Sequence, residues 1–194
     1  MLMKLIFPIA GTGLAVIVAE KQFGLLNALE LPIFVAIVLY LVVFDMAIYF
    51  QHRFFHFLGP LWRLHRVHHT DLDYDLTTGN RFHPLSIIIS LVIKLVLVIF
   101  MGPPVVAVLV SEILLNLTSM FNHSNVNIPS RADRILRWLV VTPDMHRIHH
   151  SQDSKEYNKN FGFNFPWWDR IFNTYQGQPA MEHEAMLIGI KGFN

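Results

Sequence analysis

The chain has 194 residues, 53% of them apolar and 15% charged, with 16 Phe, no Cys and a formal net charge of +1. Soluble domains usually carry about 25% charged residues, so this composition, with a mean hydropathy of +0.41, excludes a disordered chain and points to a membrane. Without cysteine there is no disulfide, thiolate zinc site, iron–sulfur cluster or cysteine nucleophile, and the small net charge gives no reason to expect nucleic acid.

Residues 5–19 are the first apolar segment. An early Lys4 gives it the look of a signal peptide, but Ala19 runs straight into Glu20 and Lys21 without a small-residue cleavage pattern. A short first span is predicted there. Residues 31–50 predict a second span, with Asp45 as its one charge and about the length a bilayer needs. Residues 84–101, carrying Lys94, predict a third, which Gly102-Pro103-Pro104 stops because proline cannot continue a helix. Residues 105–121, carrying Glu112, predict the fourth. Lys94 and Glu112 lie on consecutive spans and are expected to pair or to snorkel before any functional role is invoked.

Two crossings separate the polar stretches 51–83 and 122–194, so they share one side of the membrane. They hold twelve of the fifteen Lys and Arg residues and all eleven histidines. The positive-inside rule puts that face, and the C-terminus, in the cytoplasm. The expected fold is all-α: an integral membrane bundle of about four transmembrane helices with a helical cytoplasmic cap carrying the histidines.

Those histidines fall in three groups: His52 and His56; His65, His68 and His69; His146, His149 and His150. On a helix, positions i and i+4 share a face. Each group can therefore aim two imidazoles at one point, while the adjacent histidine of each doublet points toward a second. Such spacing suits two metal ions side by side. Imidazole suits iron, zinc, copper or nickel, whereas magnesium and calcium prefer oxygen. The H-E-x-x-H protease helix is absent, and eight histidines exceed the three a catalytic zinc needs. A non-catalytic metal-binding or metal-transport membrane protein is the alternative, although a transporter would carry histidines along a path through the spans.

The boxes H-x-x-x-H, H-x-x-H-H and H-x-x-H-H, with a hydrophobic hairpin between the second and third, resemble the integral-membrane fatty acid hydroxylase/sterol desaturase superfamily. So do residues 65–85 (HRVHHTDLDYDLTTGNRFHPL), 121–129 (FNHSNVNIP), 142–151 (TPDMHRIHHS) and 160–175 (NFGFNFPWWDRIFNTY), which are similar to the bacterial sterol-desaturase branch. Ser86 stands where many relatives carry Glu, and Asn173 where Gly is common. The resemblance divides the chain into N-terminal transmembrane segments (1–44), a hydroxylase/desaturase-like di-iron domain (45–175) and a tail (176–194).

The resemblance implies a non-haem di-iron oxidoreductase that hydroxylates or desaturates a C–H bond of a fatty acyl, sterol or related lipid with O2. Zinc can substitute for the two iron ions. No cytochrome b5 or ferredoxin domain is present, so electrons are expected from a separate cytochrome b5-like or ferredoxin-like donor. The implied location is a bacterial inner membrane. Resemblance and position add His123 as a ninth ligand, and His83 stands between a tenth ligand and an outer group. His183 is expected to be a solvated surface residue. Metal-bound imidazoles usually donate their other N–H to a carboxylate or carbonyl, and Asp75, Asp169 and Asp45 are the expected partners; Asp71 and Asp73 read as a solvated loop. Trp167 and Trp168 with Tyr175 form either an interfacial anchor or a packed aromatic cap.

Overall fold

The computed structural model describes residues 2–183 and 185–192. Met1, Glu184, Phe193 and Asn194, which fall in the terminal divisions 1–44 and 176–194, lie outside the described residues. The chain is all-α, and four segments are long and apolar enough to cross a membrane: Pro8–Ala28, Ile33–Phe57, Pro84–Met101 and Val105–Asn122. Its helices are α1 (Leu2–Glu20), α2 (Leu25–Ala28), α3 (Ile33–Phe57), α4 (Gly59–His69), α5 (Pro84–Met101), α6 (Val105–Asn122), α7 (Ser130–Leu136), α8 (Pro143–His149), α9 (Ser154–Tyr157) and α10 (Trp167–Ile171). Proline sits in the first turn of α4, α5 and α8, where its missing N–H costs nothing and its fixed φ favours the helix.

The described residues form two compact units, Met1–Ala47 with Pro84–Leu115, and Ile48–His83 with Asn116–Asn194. In the first, α1 packs on α5. The turn after α5 meets the turn after α1 so closely that a side chain fits at neither glycine. A Cβ on Gly24 would lie 2.5 Å from the Gly102 nitrogen, and one on Gly102 would lie 2.3 Å from the Phe23 carbonyl oxygen. Both also have positive φ, 98° and 58°, which glycine adopts without penalty. Inside this unit Lys94 Nζ lies 2.8 Å from Glu112 Oε1, with both side chains buried. Lys94 and Glu112 pair as expected.

The second span differs from its expected end at residue 50. Nothing in 51–57 breaks a helix, and α3 runs on until Leu58-Gly59-Pro60. At about 1.5 Å per residue, this 25-residue helix outruns a hydrocarbon core of about 30 Å. Its last turns therefore carry His52 and His56 to the membrane edge.

The second unit holds the end of α3, α4 and α7 to α10, joined by long loops. Among the described residues its one β feature is an isolated antiparallel bridge between Ser151 and Ile188. Around it, Gln152 N–H donates to the Leu187 carbonyl (2.8 Å) and Gly189 N–H to the His150 carbonyl (3.1 Å). Asn173 has φ of 55°; asparagine tolerates this left-handed turn better than most residues.

Candidate metal centre

Nine histidines converge within the second unit in two groups: His52, His56, His65, His69 and His149; and His68, His123, His146 and His150. Within each group one ring nitrogen from every residue lies within 4.8 Å of the others. Helical spacing produces the division. The i,i+4 pairs His52/His56, His65/His69 and His146/His150 each stay together. The third member of each triplet, His68 or His149, turns to the other group. His123, at the end of α6, completes the second set. The two groups adjoin, since the His69 and His150 rings stack at 4.3 Å. All nine side chains are buried.

The outer faces of four rings are fixed by backbone carbonyls. Nδ1 of His52 meets the Phe161 carbonyl at 2.9 Å, that of His68 Thr78 at 3.0 Å, that of His123 Ser119 at 2.6 Å and that of His149 Lys159 at 2.8 Å. A carbonyl only accepts, so each of these Nδ1 atoms carries the proton and donates. Burial, reinforced by neighbouring imidazoles, holds His65, His68, His69, His146 and His150 well below the ordinary histidine pKa. Burial likewise lowers His149, against its bond to the Lys159 carbonyl. A neutral ring protonated on Nδ1 presents a bare lone pair at Nε2.

Those lone pairs face one another. His68 Nε2 lies 3.2 Å from His123 Nε2, and both rings have their proton committed outward. His146 Nε2 lies 3.2 Å from His123 Nε2, and His65 Nε2 lies 3.1 Å from His52 Nε2 and 3.3 Å from His69 Nε2. Two nitrogens bound about 2.1 Å from one cation at angles between 90° and 109° are separated by about 3.0 to 3.4 Å. Both nitrogens of His56 and of His150, and Nε2 of His149, are buried without a hydrogen-bond partner. Unsatisfied buried polar atoms are costly, and a metal ion in each group would take one nitrogen from each of these rings. The donor set fits two imidazole-bound cations.

Carboxylates act one step behind these carbonyls. Thr78 Oγ1 donates to buried Asp71 (2.7 Å), and the Thr78 carbonyl holds His68. Asp169 accepts from the Phe161 and Gly162 N–H groups (2.8 Å each) and from Thr174 Oγ1 (2.7 Å), and the Phe161 carbonyl holds His52. Burial pushes the Asp169 carboxyl up to about 6, against these three donors. Gly79 makes room for the centre: a Cβ there would lie 2.9 Å from the Ser119 carbonyl and 3.2 Å from His123 Nδ1. Gly79→Ala should therefore leave membrane insertion intact while weakening metal retention, chiefly in the His123 group, as metal analysis of the purified protein would read.

Several expected residues take other places. His83 is half-buried and joins neither group, and half-buried His183 lies outside both. Asp75 does not support an imidazole among the described residues; its Oδ1 accepts from Thr77 N–H (2.7 Å) and Thr77 Oγ1 (2.6 Å), closing a local turn. Asp169 reaches the loop beneath His52 rather than a ring. Asp45 is buried on α3. Asp71 is buried rather than solvated, with Arg81 3.3 Å away. Aromatic residues outside the histidine boxes also line the centre. Phe82 stacks on His68 (4.4 Å), Trp62 packs on His56 (4.9 Å), and Tyr74 meets His150 (4.8 Å) while donating to the Asn122 carbonyl.

Fold and site together define a membrane protein with a histidine-rich centre able to hold metal. Comparison with known sequences gives the family: residues 37–174 match the fatty acid hydroxylase family, and the chain belongs to it. It is 28% identical over 161 residues to the ornithine lipid hydroxylase OlsE of Rhizobium tropici, covering 83% of this chain and 47% of that protein. To the human alkylglycerol monooxygenase it is 32% identical over 146 residues, covering 75% of this chain and 31% of the relative; the Danio rerio alkylglycerol monooxygenase is 31% identical over the same shares. The chain thus spans half or less of the length of these relatives. No solved structure matches it.

Proposed function

We propose that the chain is an oxygen-dependent lipid hydroxylase whose two histidine groups each hold one iron ion. The observation that carries this reading is the convergence of nine buried imidazoles in two adjoining groups beside an apolar span. Relatives named as a hydroxylase and a monooxygenase favour oxygen insertion over desaturation. The balance is R–H + O2 + 2e⁻ + 2H⁺ → R–OH + H2O, with the electrons drawn from a separate cytochrome b5-like or ferredoxin-like donor. When bound, the iron pair supplies the reductive activation of O2.

The chain's own residues prepare that site. Backbone carbonyls of Phe161, Thr78, Ser119 and Lys159 hold the imidazoles in one tautomer with Nε2 inward. Burial keeps the rings neutral, the form that binds metal. Phe82, Trp62, Phe161 and Phe163 surround the rings with apolar surface, which keeps bulk water from a reactive centre. The end of α3 brings His52 and His56 to the level where a lipid chain leaves the bilayer.

Lipid mass spectrometry of a bacterial host with and without the gene tests the reading. A lipid heavier by one oxygen supports it; a product lighter by two hydrogens assigns desaturation instead, and an unchanged lipid profile counts against both. This reading puts the centre on the cytoplasmic face of a bacterial inner membrane, and the excess of Lys and Arg in the polar stretches 51–83 and 122–194 supports that orientation. In the cysteine-free chain a cysteine at Gln22 should react with an impermeant maleimide from outside the cell, and one at Lys155 only after lysis. The reverse pattern would cut the centre off from cytoplasmic reductant.

A further inference from the structure

Five large apolar side chains of the second unit face outward with no role in the centre: Ile135 (68% exposed), Trp138 (59%), Leu139 (58%), Trp167 (37%) and Ile171 (62%). Ile135, Trp138 and Leu139 follow an i, i+3, i+4 spacing through α7 and the turn after it, and Trp167 and Ile171 are i,i+4 on α10. Such positions share one helix face. The two elements are tied together: Trp167 Nε1 donates to the Trp138 carbonyl (2.8 Å), and the Arg170 guanidinium lies 3.9 Å over the Trp138 ring.

Contacts within the second unit place α10 beside the end of α3. Phe172, which caps α10, packs on Phe50 (5.0 Å) and stacks on Tyr49 (5.5 Å), while Tyr49 Oη hydrogen-bonds Thr174 Oγ1 (2.9 Å). Tyr49 and Phe50 both lie within Ile33–Phe57, a segment long and apolar enough to cross a membrane. Ile171 thus sits next to a segment packed at the apolar edge of the span. From the other side, α7 begins at Ser130, only eight residues after Asn122 closes the fourth span. Exposed Arg131 and Arg134 flank the apolar face, in keeping with anionic headgroups. Beside it lies a cavity of about 560 Å³, to whose lining Arg134, Trp138 and Arg170 all contribute.

We propose that α7 and α10 form an amphipathic foot that inserts into the headgroup layer of the membrane the chain already spans. Ile135, Leu139 and Ile171 enter the upper acyl region, Trp138 and Trp167 lie at the interface, and the arginines bind lipid phosphates. Tryptophan is enriched at that depth, and helices of this kind bury their apolar face about 5–10 Å into the boundary. The foot also clamps the segment from 160 to 175, which includes the Phe161 carbonyl that orients His52.

Nitroxide labels test this, because the chain has no native cysteine to remove. Ile135→Cys, Leu139→Cys and Ile171→Cys are labelled one at a time, with Lys155→Cys as an exposed polar control. The protein is placed in vesicles of phosphatidylethanolamine and phosphatidylglycerol. Collision rates are then measured with dioxygen, which concentrates in acyl chains, and with a water-soluble nickel chelate. The oxygen-to-nickel ratio at 135, 139 and 171 should exceed that at 155 several-fold. Ratios equal to the control would overturn the foot, and protection from both agents would assign the face to a second copy instead. The unlabelled protein gives an independent reading: lipids brominated near the headgroup should quench its tryptophan emission. Trp138→Phe with Trp167→Phe should remove most of that quenching, and quenching that persists would count against the foot.

Discussion

On the proposed function, His123→Ala and His149→Ala should each abolish lipid oxidation while emptying different halves of the centre. His149 belongs to the group of five and His123 to the group of four, so either change leaves the opposite group complete. On that reading, iron should fall from about two to about one per chain in each variant, because binding depends on a full set of deprotonated donors. His123→Ala has the more severe local effect, since three imidazoles remain where four stood and Nε2 of both His68 and His146 loses its neighbour. His150→Ala behaves like His123→Ala, although it is adjacent to His149 in sequence. Metal analysis with turnover on the same preparations checks this, and His183→Ala, outside both groups, keeps metal and activity. Equal loss of both ions in every variant would show that the two groups act as a single site.

Lys94→Met should destabilise the protein more than removal of both partners of its ion pair. The change leaves Glu112 buried without the ammonium 2.8 Å away, and breaking a buried pair by one partner costs about 3–5 kcal/mol. Lys94→Met with Glu112→Leu removes both charges and returns the stability to near that of the parent chain, because apolar replacements of buried pairs are often neutral. Thermal unfolding in detergent, followed through a double-mutant cycle, reads the coupling. A double variant no more stable than Lys94→Met would show that the pair is not what holds these two helices.

Much of this was legible from the chain because helix geometry is periodic. Spans announce themselves by length and hydropathy, and i,i+4 spacing assigns His65 with His69 and His146 with His150. The turning of His68 and His149 toward the opposite group follows from the same periodicity. What the spacing does not carry is tertiary. The imidazoles lean on carbonyls of Thr78, Ser119, Lys159 and Phe161, and every residue has a carbonyl, so no residue type marks which one is used. That is why Asp75 and Asp169 looked like direct partners, when Asp169 reaches His52 only through Phe161, and Asp71 reaches His68 only through Thr78. His83 shared the chemistry of the boxes but not their convergence. The tail from 186 to 189 has no motif, yet it pairs beside the His150 carbonyl across the bridge to Ser151.

On the proposed function, the centre places one atom of O2 into a lipid C–H bond. The most direct measurement supplies the iron-loaded protein, in vesicles of host lipid with a reductant and an electron donor, with ¹⁸O2 and analyses the lipids by mass spectrometry. The account predicts a hydroxylated lipid that carries the heavy isotope and vanishes with His149→Ala. A hydroxyl oxygen drawn from water, or oxidation that survives His149→Ala, would contradict it.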